Sequence, residues 1–362
     1  MVKLKLRLKH VPLFPLSIIT LISFFSLLML FSMGSGSFFP WCFNQFCRFV
    51  VGTIALLFVS AIKLKFWEKY AYPFYFLCLF LLIGVAIVGK TSMGAQRWLN
   101  LYFFNFQPSE LMRIFLIIAL SKYFSTRSVE DCKRLSTLCL PVVLIALPMG
   151  LVLIQPDLGT AVLLFLVFCS VLFVCGVQIW KFAFFFFGIL LSMPILWNML
   201  HDYQQKRVLT FFSPEMDPSG AGYHIIQSQI AIGAGGFWGS GFMNGSQSQL
   251  NFLPEKQTDF VFAALGEEFG FFGCLLLLLL YGLLITYNLG VVIRMKNKFE
   301  KIMVFGVNSM LFFYIFINVS MVCGLLPVVG VPLPFFSYGG SALVVLMFCE
   351  GLIFSADIEH KH

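Results

Sequence analysis

Long apolar runs separated by short polar connections dominate the pattern along this chain. Runs of roughly twenty apolar residues are long enough to cross a bilayer as a helix. Ten such runs occur, at 11–33, 48–62, 72–89, 109–124, 136–154, 158–176, 180–199, 260–288, 302–325 and 341–356. The first follows a basic head but is longer than the apolar part of a signal peptide, so we expect it to be retained as a helix. The pattern predicts an all-α integral membrane protein with about ten transmembrane helices in one polytopic domain, residues 1–362.

Composition and charge support this prediction and orient the chain. The chain is 60% hydrophobic and 11% charged, whereas a soluble domain carries about 25% charged residues. If the amino terminus is inside, 17 of the 24 Lys and Arg residues fall in loops on that side and six on the other. Because positive residues favour the cytoplasmic side, both termini are predicted to be cytoplasmic. The net charge of +8 is mostly this topology signal and does not indicate a nucleic-acid partner.

The ten cysteines do not form a recognisable framework. Seven lie within the apolar runs, where Cys acts as a small hydrophobic residue. Cys42 and Cys47 share the first outer connection and could pair. No Cys or His spacing is typical of a structural metal site.

The unusual polar segments all fall on the predicted outer side. The large connection 200–258 lies between the seventh and eighth runs. The other three are 90–114, 155–161 and 324–342, which are polar or rich in Gly and Pro. Four loops without a common role would be scattered over both sides, so their convergence predicts a functional site there.

Within the large loop, one stretch has a helical pattern. Tyr223, Ile226 and Ile230 share one helical face, and a glycine-rich turn with Phe237 and Trp238 follows. This predicts a short helix lying in the membrane interface with aromatic anchors. An ordinary structured loop is an equally good interpretation.

Asp259 is the first candidate for chemistry. It precedes the eighth run, and Ala263, Gly266 and Gly270 follow it on the same helical face. Such a stripe of small residues allows another helix to approach closely and would leave Asp259 facing a groove. A partly dehydrated carboxylate has a raised pKa, as a general base needs. The alternative is an acid at a helix start, favoured by the helix dipole. Glu267, two turns deeper, suits a structural or cavity-lining role.

Other polar residues occur at the same predicted face. Glu110 and Arg113 are three residues apart at the head of the fourth run, on one side of a helix. They are either a structural ion pair or a pair that holds a hydrophilic cavity open. Asp157 is expected to cap the sixth run. Arg97 and Lys256 offer positive charge for a phosphate or pyrophosphate. On these grounds alone a transporter comes first, and a membrane enzyme acting on a lipid-linked substrate second.

Four motifs make the sequence resemble a known family. They are "GAQRWL…FQPSEL", "QPDLGTA", the segment ending in "QSQLNFLPEKQTDFVFAALGEEFG", and "GLLPVVGVPLPFFSYGGSA". In this order they resemble the shape, elongation, division and sporulation (SEDS) family, and its rod-shape branch, RodA, more closely than its division branch, FtsW. The resemblance covers nearly all of the chain from about residue 85 onward.

The resemblance implies a fold, an activity and partners. The fold is ten transmembrane helices in the bacterial cytoplasmic (inner) membrane, with both termini cytoplasmic. The activity is that of a peptidoglycan glycosyltransferase, which polymerises lipid II (undecaprenyl-pyrophosphate disaccharide pentapeptide) at the outer face. The partners are a class B penicillin-binding protein, a monofunctional transpeptidase, and the elongation or division machinery. Two rivals are a lipid II flippase and a non-catalytic scaffold for the penicillin-binding protein.

The resemblance also assigns residues. The family's essential aspartate is Asp259, which would act as general base. Glu110 and Arg113 fall on a motif that usually has lysine at the second position, so a proton-transfer role for Arg113 is in doubt. Pyrophosphate charge would be stabilised by cationic side chains such as Arg97 or Lys256, or by a divalent cation, Mg or Mn; no cofactor is specified. The further residues expected at the cavity or substrate are Gln107, Ser109, Glu267, Ser337 and Tyr338.

Overall fold

Each of the ten apolar runs corresponds to one long helix in the computed structural model. The structure describes residue 7 and residues 9–361, apart from 93–94, 101–104, 200–201, 218–219, 251 and 254. Parts of two of the four motifs (residues 94, 101–104, 251 and 254) and the loop residues 200–201 and 218–219 lie outside the described residues. We call the long helices spans 1 to 10. In chain order they are Leu13–Met33, Trp41–Ala61, Ala71–Val88, Pro108–Ser125, Cys139–Ile154, Leu158–Val174, Ile179–Met199, Val261–Arg294, Lys298–Val322 and Ser341–His360.

Most spans are apolar enough to cross a membrane. Six helices have the length and composition for it, and the helices of spans 3, 6 and 7 are shorter apolar helices. Span 4 differs, because it carries Glu110, Arg113 and Lys122. Glu110 and Arg113 are buried among neighbouring helices, which shelter them from lipid, where charges would be costly; Lys122 lies in the last turn. The chain is therefore a multi-pass, helical membrane protein with a polar central helix.

Shorter elements fill the connections. A small antiparallel sheet of three strands lies between spans 3 and 4: β1 Lys90–Ser92, β2 Ala95–Asn100 and β3 Asn105–Phe106. The sequence pattern did not predict this sheet. Helices Leu64–Lys69 and Val129–Cys132 and the 3-10 turn Ser136–Leu138 lie in other connections. The large loop contains helices Asp202–Phe212, Ala221–Gly235 and Ser246–Gln249 and the 3-10 turn Pro214–Met216.

Span 2 begins earlier than predicted, and its position excludes a disulfide between Cys42 and Cys47. The helix starts at Trp41 instead of 48, so Cys42 and Cys47 both lie on it. Five residues of helix separate them by about 7.5 Å along the axis and place them on different faces, which is too far for a disulfide. Accordingly both are free thiols, Cys42 buried and Cys47 exposed. The sequence left open whether these two cysteines pair, and the structure shows that they do not.

The loop helix Ala221–Gly235, the predicted interfacial helix, packs on the first turns of span 8. Its buried side is formed by Ile225, Ser228 and Ala231. A Cβ on Gly235 would overlap the carbonyl oxygen of Gly266, so the two backbones are in direct contact. The small-residue stripe thus receives a close-packed helix, as predicted, and that helix comes from the large loop 200–258. The turn after it also contacts span 8, since Trp238 stacks on Phe272 at 4.6 Å between ring centroids.

Span 8 is interrupted where the loop turn meets it. Gly270 has φ 62° and ψ −158° inside the helix, a conformation open in practice only to glycine. A Cβ there would come within 2.7 Å of the Phe237 carbonyl. The glycine therefore allows the chain to bend and the loop to pack directly against the backbone of span 8.

Candidate functional site

A polar cavity of about 320 Å³ opens where the predicted outer segments meet. The structure brings together residues from spans 2, 4, 6, 9 and 10 and from the connections before spans 4, 8 and 10. Its charged lining residues are Arg48, Arg97, Glu110, Arg113, Asp157 and Asp259, and its polar ones include Gln107, Thr160, Thr258, Tyr314, Tyr338 and Ser341. The predicted convergence of polar segments into one site is thus present in the fold.

Asp157 anchors one wall of this cavity. Its side chain caps span 6, accepting hydrogen bonds from the Thr160 backbone N–H at 3.1 Å and the Thr160 hydroxyl at 2.9 Å. The cap expected from the sequence is therefore present. Gln107 Nε2 donates to the same carboxylate at 3.2 Å, and Arg97 Nε lies 3.6 Å from it. Arg97 also donates to the Pro156 carbonyl. This carboxylate is fully engaged in positioning Gln107 and Arg97.

Glu110 and Arg113 both face the cavity, but they do not pair with each other. Each is 4% exposed. Neither takes part in any ion pair within the described part of the chain, whose pairs involve other residues. The Arg113 guanidinium lies 4.9 Å from the centre of the Tyr314 ring. Glu110 Oε2 and Arg113 Nε have no hydrogen-bond partner among the residues that the structure describes.

These unsatisfied groups indicate a binding site. A buried donor or acceptor without a partner costs about 1–3 kcal/mol, and more when it is charged. Groups of this kind at a cavity wall are stabilised when a polar ligand supplies the missing partners. The structural ion pair considered from the sequence does not form, and the alternative of two residues lining a hydrophilic cavity describes their position.

Asp259 lines the same cavity from the turn at 255–260. Span 8 begins at Val261 with Phe260 as its N-cap, so Asp259 precedes the helix and is not an acid of its first turn. Burial first, and then the nearby Glu255 carboxylate, raise the pKa of Asp259 to about 6, although Arg207 and Arg97 lower it. A pKa close to neutrality suits a group that must accept a proton at physiological pH.

Four residues expected at the site lie outside the cavity lining. Lys256 is buried and donates to the Ser248 carbonyl at 2.5 Å, and burial lowers its pKa. Ser337 Oγ accepts a bond from the Leu333 N–H at 2.7 Å, and Ser109 is buried behind the wall. Glu267 belongs to the loop, as described next.

Glu267 has the structural role that its depth suggested. Its carboxylate accepts bonds from the backbone N–H groups of Gln247 at 2.6 Å and Ser248 at 3.0 Å, and from the hydroxyl of Ser246 at 3.3 Å. It therefore fixes the start of helix Ser246–Gln249 against span 8. Of the two roles considered for Glu267, the structure supports this one.

Arg48 is a cavity residue that the sequence argument missed. It lies on span 2, and its guanidinium is 4.3 Å from the centre of the Tyr338 ring. Its Nη1 is buried and has no hydrogen-bond partner in the part of the chain that the structure describes. Because span 2 was predicted to start at 48, Arg48 counted only as a flanking charge. An arginine seven residues inside an apolar helix would have indicated a functional site.

The residues present do not form a recognisable metal centre. No group of three His, Cys, Asp or Glu side chains is close enough to hold an ion among the residues the structure describes. The cavity carries three carboxylates, Glu110, Asp157 and Asp259, beside three guanidinium groups. These side chains alone do not form a dedicated cage for an Mg or Mn ion, which proteins usually hold by one or two carboxylates together with substrate phosphates.

Comparison with known proteins places this arrangement in context. The family model for FtsW, RodA and SpoVE, described as cell cycle protein, matches residues 7–362. The peptidoglycan glycosyltransferase MrdB of Escherichia coli K12 is 44% identical over 321 residues, covering 87% of this chain and 85% of its own. A probable peptidoglycan glycosyltransferase FtsW of Buchnera aphidicola is 36% identical over 304 residues, covering 82% and 85%.

Solved structures show the same fold. One comes from work on the structural coordination of polymerization and crosslinking by a peptidoglycan synthase complex. It has a TM-score of 0.84 and 29% identity, and covers 97% of this chain and 98% of its own. The rod shape determining protein RodA of Thermus thermophilus has a TM-score of 0.72 and 26% identity, with 97% of each chain covered.

Proposed function

Since the chain belongs to the FtsW, RodA and SpoVE family of cell cycle proteins, we propose that it is a peptidoglycan glycosyltransferase that polymerises lipid II. The reaction takes place at the outer face of the bacterial cytoplasmic membrane, with both termini cytoplasmic, and serves cell elongation and rod shape. One observation carries this proposal for the present chain. The cavity holds a carboxylate with a pKa of about 6, Asp259, together with three arginines.

In the proposed reaction Asp259 is the general base. Its carboxylate takes the proton from the 4-hydroxyl of the acceptor sugar as that oxygen attacks the anomeric carbon of the donor. A glycosidic C–O bond forms, the anomeric C–O bond to phosphate breaks, and undecaprenyl pyrophosphate leaves with the electron pair. Positioned general bases contribute typically 10²–10⁴-fold to rate. Asp259 then releases its proton to water.

The three arginines stabilise the leaving group. The pyrophosphate carries its negative charge on its oxygens, and a planar guanidinium group can bind two such oxygens at once in a bidentate arrangement. Arg48 and Arg113 are held over Tyr338 and Tyr314, and Arg97 by Pro156 and Asp157, so all three are preorganised. Of the two cations suggested by the sequence, Arg97 keeps this role, whereas Lys256 is occupied elsewhere.

A single carboxylate is sufficient for this chemistry. Glycosidases need a second acid because they must protonate an alcohol leaving group. Pyrophosphate is already a good leaving group, so no acid is required opposite Asp259. Holding two lipid-linked sugars in one groove supplies the proximity that a bimolecular reaction lacks.

The far end of the spans favours a polymerase over a flippase. Ser341 lines the cavity, and Glu359 lies on the same helix about 27 Å away at 1.5 Å per residue. There Arg7 pairs with Glu359 at 2.9 Å, and Arg294 pairs with Asp357 at 2.8 Å. These pairs connect spans 8 and 10 and the amino-terminal segment at that end. A flippase would have to open this end to pass its lipid, and the pairs oppose that opening. A scaffold, in turn, has no need of unsatisfied buried charges at a cavity wall.

The expected partner is a class B penicillin-binding protein, and the large loop offers a surface for it. Phe237 and Trp238 are 69% and 79% exposed, on a turn bonded to span 8 close to the segment that leads to Asp259. A similar chain is known from a peptidoglycan synthase complex. We infer that a single-span transpeptidase docks on this loop and nearby helices and raises activity. Such coupling requires different affinity for two loop arrangements.

The activity is tested with purified protein and fluorescent lipid II in detergent. Glycan ladders on a gel, with longer or faster products when the partner is added, would support the proposal. A second arm places lipid II in one leaflet of liposomes containing the protein. Translocation without any ladder would instead identify a flippase. If neither translocation nor a ladder is observed, the scaffold role is the one that remains.

A further inference from the structure

One buried amide joins the two irregular segments that form the wall around Asp259. Asn318 on span 9 is fully buried. Its Nδ2 donates to the backbone carbonyl of Asp259 at 2.9 Å and to that of Val331 at 2.7 Å. We propose that Asn318 is a positioning residue for glycosyl transfer, holding the Asp259 turn in register with the segment 328–338. This inference rests on the proposed function of Asp259.

The two segments that Asn318 joins both line the cavity. The turn contributes Thr258 and Asp259, and the other segment contributes Gly330, Val331 and Tyr338 among others. A second link lies close by, since the Tyr338 N–H donates to the Gln257 carbonyl at 2.8 Å. Neither segment is helix or strand, so its carbonyls depend on such individual partners.

The segment 328–338 is itself pressed against the opposite wall. A Cβ on Gly159 would lie 2.5 Å from the Val329 carbonyl oxygen, so span 6 contacts this backbone directly. The Arg207 guanidinium donates to the Val328 carbonyl at 2.9 Å. Because Gly159 is two residues from Asp157, the chain of contacts runs from the wall that holds Arg97 to Asp259. Asn318 is the final link in that chain.

An amide is the side chain that this position requires. Two carbonyl oxygens face it, and both can only accept hydrogen bonds. The NH₂ group supplies two donors from one atom. A carboxylate has no donor and would repel both carbonyls, and an aliphatic side chain would leave both without this bond. Asn318→Asp therefore keeps the side-chain volume and removes both hydrogen-bond donors. Asn318→Leu removes the polar group altogether.

The experiment compares Asn318→Asp and Asn318→Leu with a matched control, Asn308→Leu. Asn308 lies on the same helix, is 3% exposed, and makes no side-chain hydrogen bond to the Asp259 turn in the described part of the chain. All variants are purified in detergent. Lipid II polymerisation gives kcat and KM, and hydrogen–deuterium exchange reports on the peptide that covers 255–260.

Both Asn318 variants should show at least tenfold faster exchange in that peptide and at least a tenfold lower kcat. KM should change less than threefold, because the arginines that bind pyrophosphate stay in place. The acidic limb of the pH–rate profile should also move to lower pH, since a loosened turn exposes Asp259 to water and lowers its pKa. The Asn308→Leu control should show none of these changes.

Unchanged exchange or unchanged kcat in both Asn318 variants would overturn the proposal. The same losses in Asn308→Leu would also overturn it, because they would show a general loss of packing. Asp259→Asn is measured alongside to separate the two hypotheses. If Asp259→Asn keeps full activity, the general base is wrong, and the exchange data then decide separately whether Asn318 holds the turn.

Discussion

The close contact between Gly235 and Gly266 can be used to test how the large loop 200–258 is held against span 8. Replacing Gly235 with Ala adds a Cβ that would overlap the Gly266 carbonyl oxygen and lie 2.8 Å from its carbonyl carbon. An ordinary contact needs 3.4 Å, and the oxygen lies closer than the carbon, so the loop helix must withdraw by clearly more than the 0.6 Å that the carbon alone would require. Gly233 lies on the same helix with nothing within 4 Å of the equivalent atom, and Gly233→Ala is the matched control.

The expected loss follows from what that withdrawal strains. Four backbone hydrogen bonds join the turn after the loop helix to span 8: Ser240 to Glu267 at 2.9 Å, Gly241 to Glu268 at 3.0 Å, Phe271 to Gly236 at 2.9 Å and Phe272 to Phe237 at 3.3 Å. Losing two of them costs about 1–3 kcal/mol, and overpacking adds about 1–3 kcal/mol. Gly235→Ala should therefore destabilise the protein by roughly 2–6 kcal/mol. Gly233→Ala should be neutral or stabilising by up to about 1 kcal/mol, because Ala favours a helix.

Thermal unfolding in detergent and limited proteolysis of residues 200–258 measure the two variants side by side. Gly235→Ala should have the lower midpoint and a loop that is cleaved faster, and Gly233→Ala should match the unmodified protein. Equal midpoints and equal cleavage rates for the two variants would refute the close packing of the loop helix on span 8.

Three further outcomes follow from the site. The rate of polymerisation should rise with pH through about 6, because the raised pKa of Asp259 leaves it protonated and inactive as a base below that value; a rate that stays flat from pH 5 to 7 would contradict this. A double-mutant cycle on Glu110→Ala and Arg113→Ala should give a coupling of about 1 kcal/mol or less in thermal stability, whereas about 3–5 kcal/mol would show a buried pair. Substituting Trp238 and Phe242 with Ser should weaken partner binding and partner-stimulated polymerisation together, and unchanged stimulation would move the docking surface to the spans.

The sequence predicted the spans well because each has its own apolar run. Errors arose where polar residues lie inside a helix. The second run was placed at 48 because Asn44, Gln45 and Arg48 interrupt its apolar pattern, yet Gln45 is buried and donates to the Ser337 carbonyl at 3.0 Å. The small sheet between spans 3 and 4 was missed as well, because strands of two to six residues carry too little periodicity to detect.

The candidate site was predictable as a location, and less so as a set of contacts. Polar segments on one face indicated where the cavity would be, and the small-residue stripe after Asp259 indicated close packing. The depth of Glu267 in the eighth run suggested a structural or cavity-lining role, but its bonds to Gln247 and Ser248 could not be read from the sequence. The role of Asn318 depends on carbonyls 59 and 13 residues away, and only the folded chain shows that relation.

The central claim is that Asp259 is the base of a lipid II polymerase, and one measurement tests it most directly. Initial rates of glycan synthesis from fluorescent lipid II are compared at pH 7 for the purified protein, Asp259→Asn, and Glu215→Gln, an exposed acid of the same loop. The account predicts a loss of at least about 100-fold for Asp259→Asn, with lipid II binding and the thermal midpoint retained, and no loss for Glu215→Gln. Polymerisation by a folded Asp259→Asn protein at a rate close to that of the unmodified chain would contradict it.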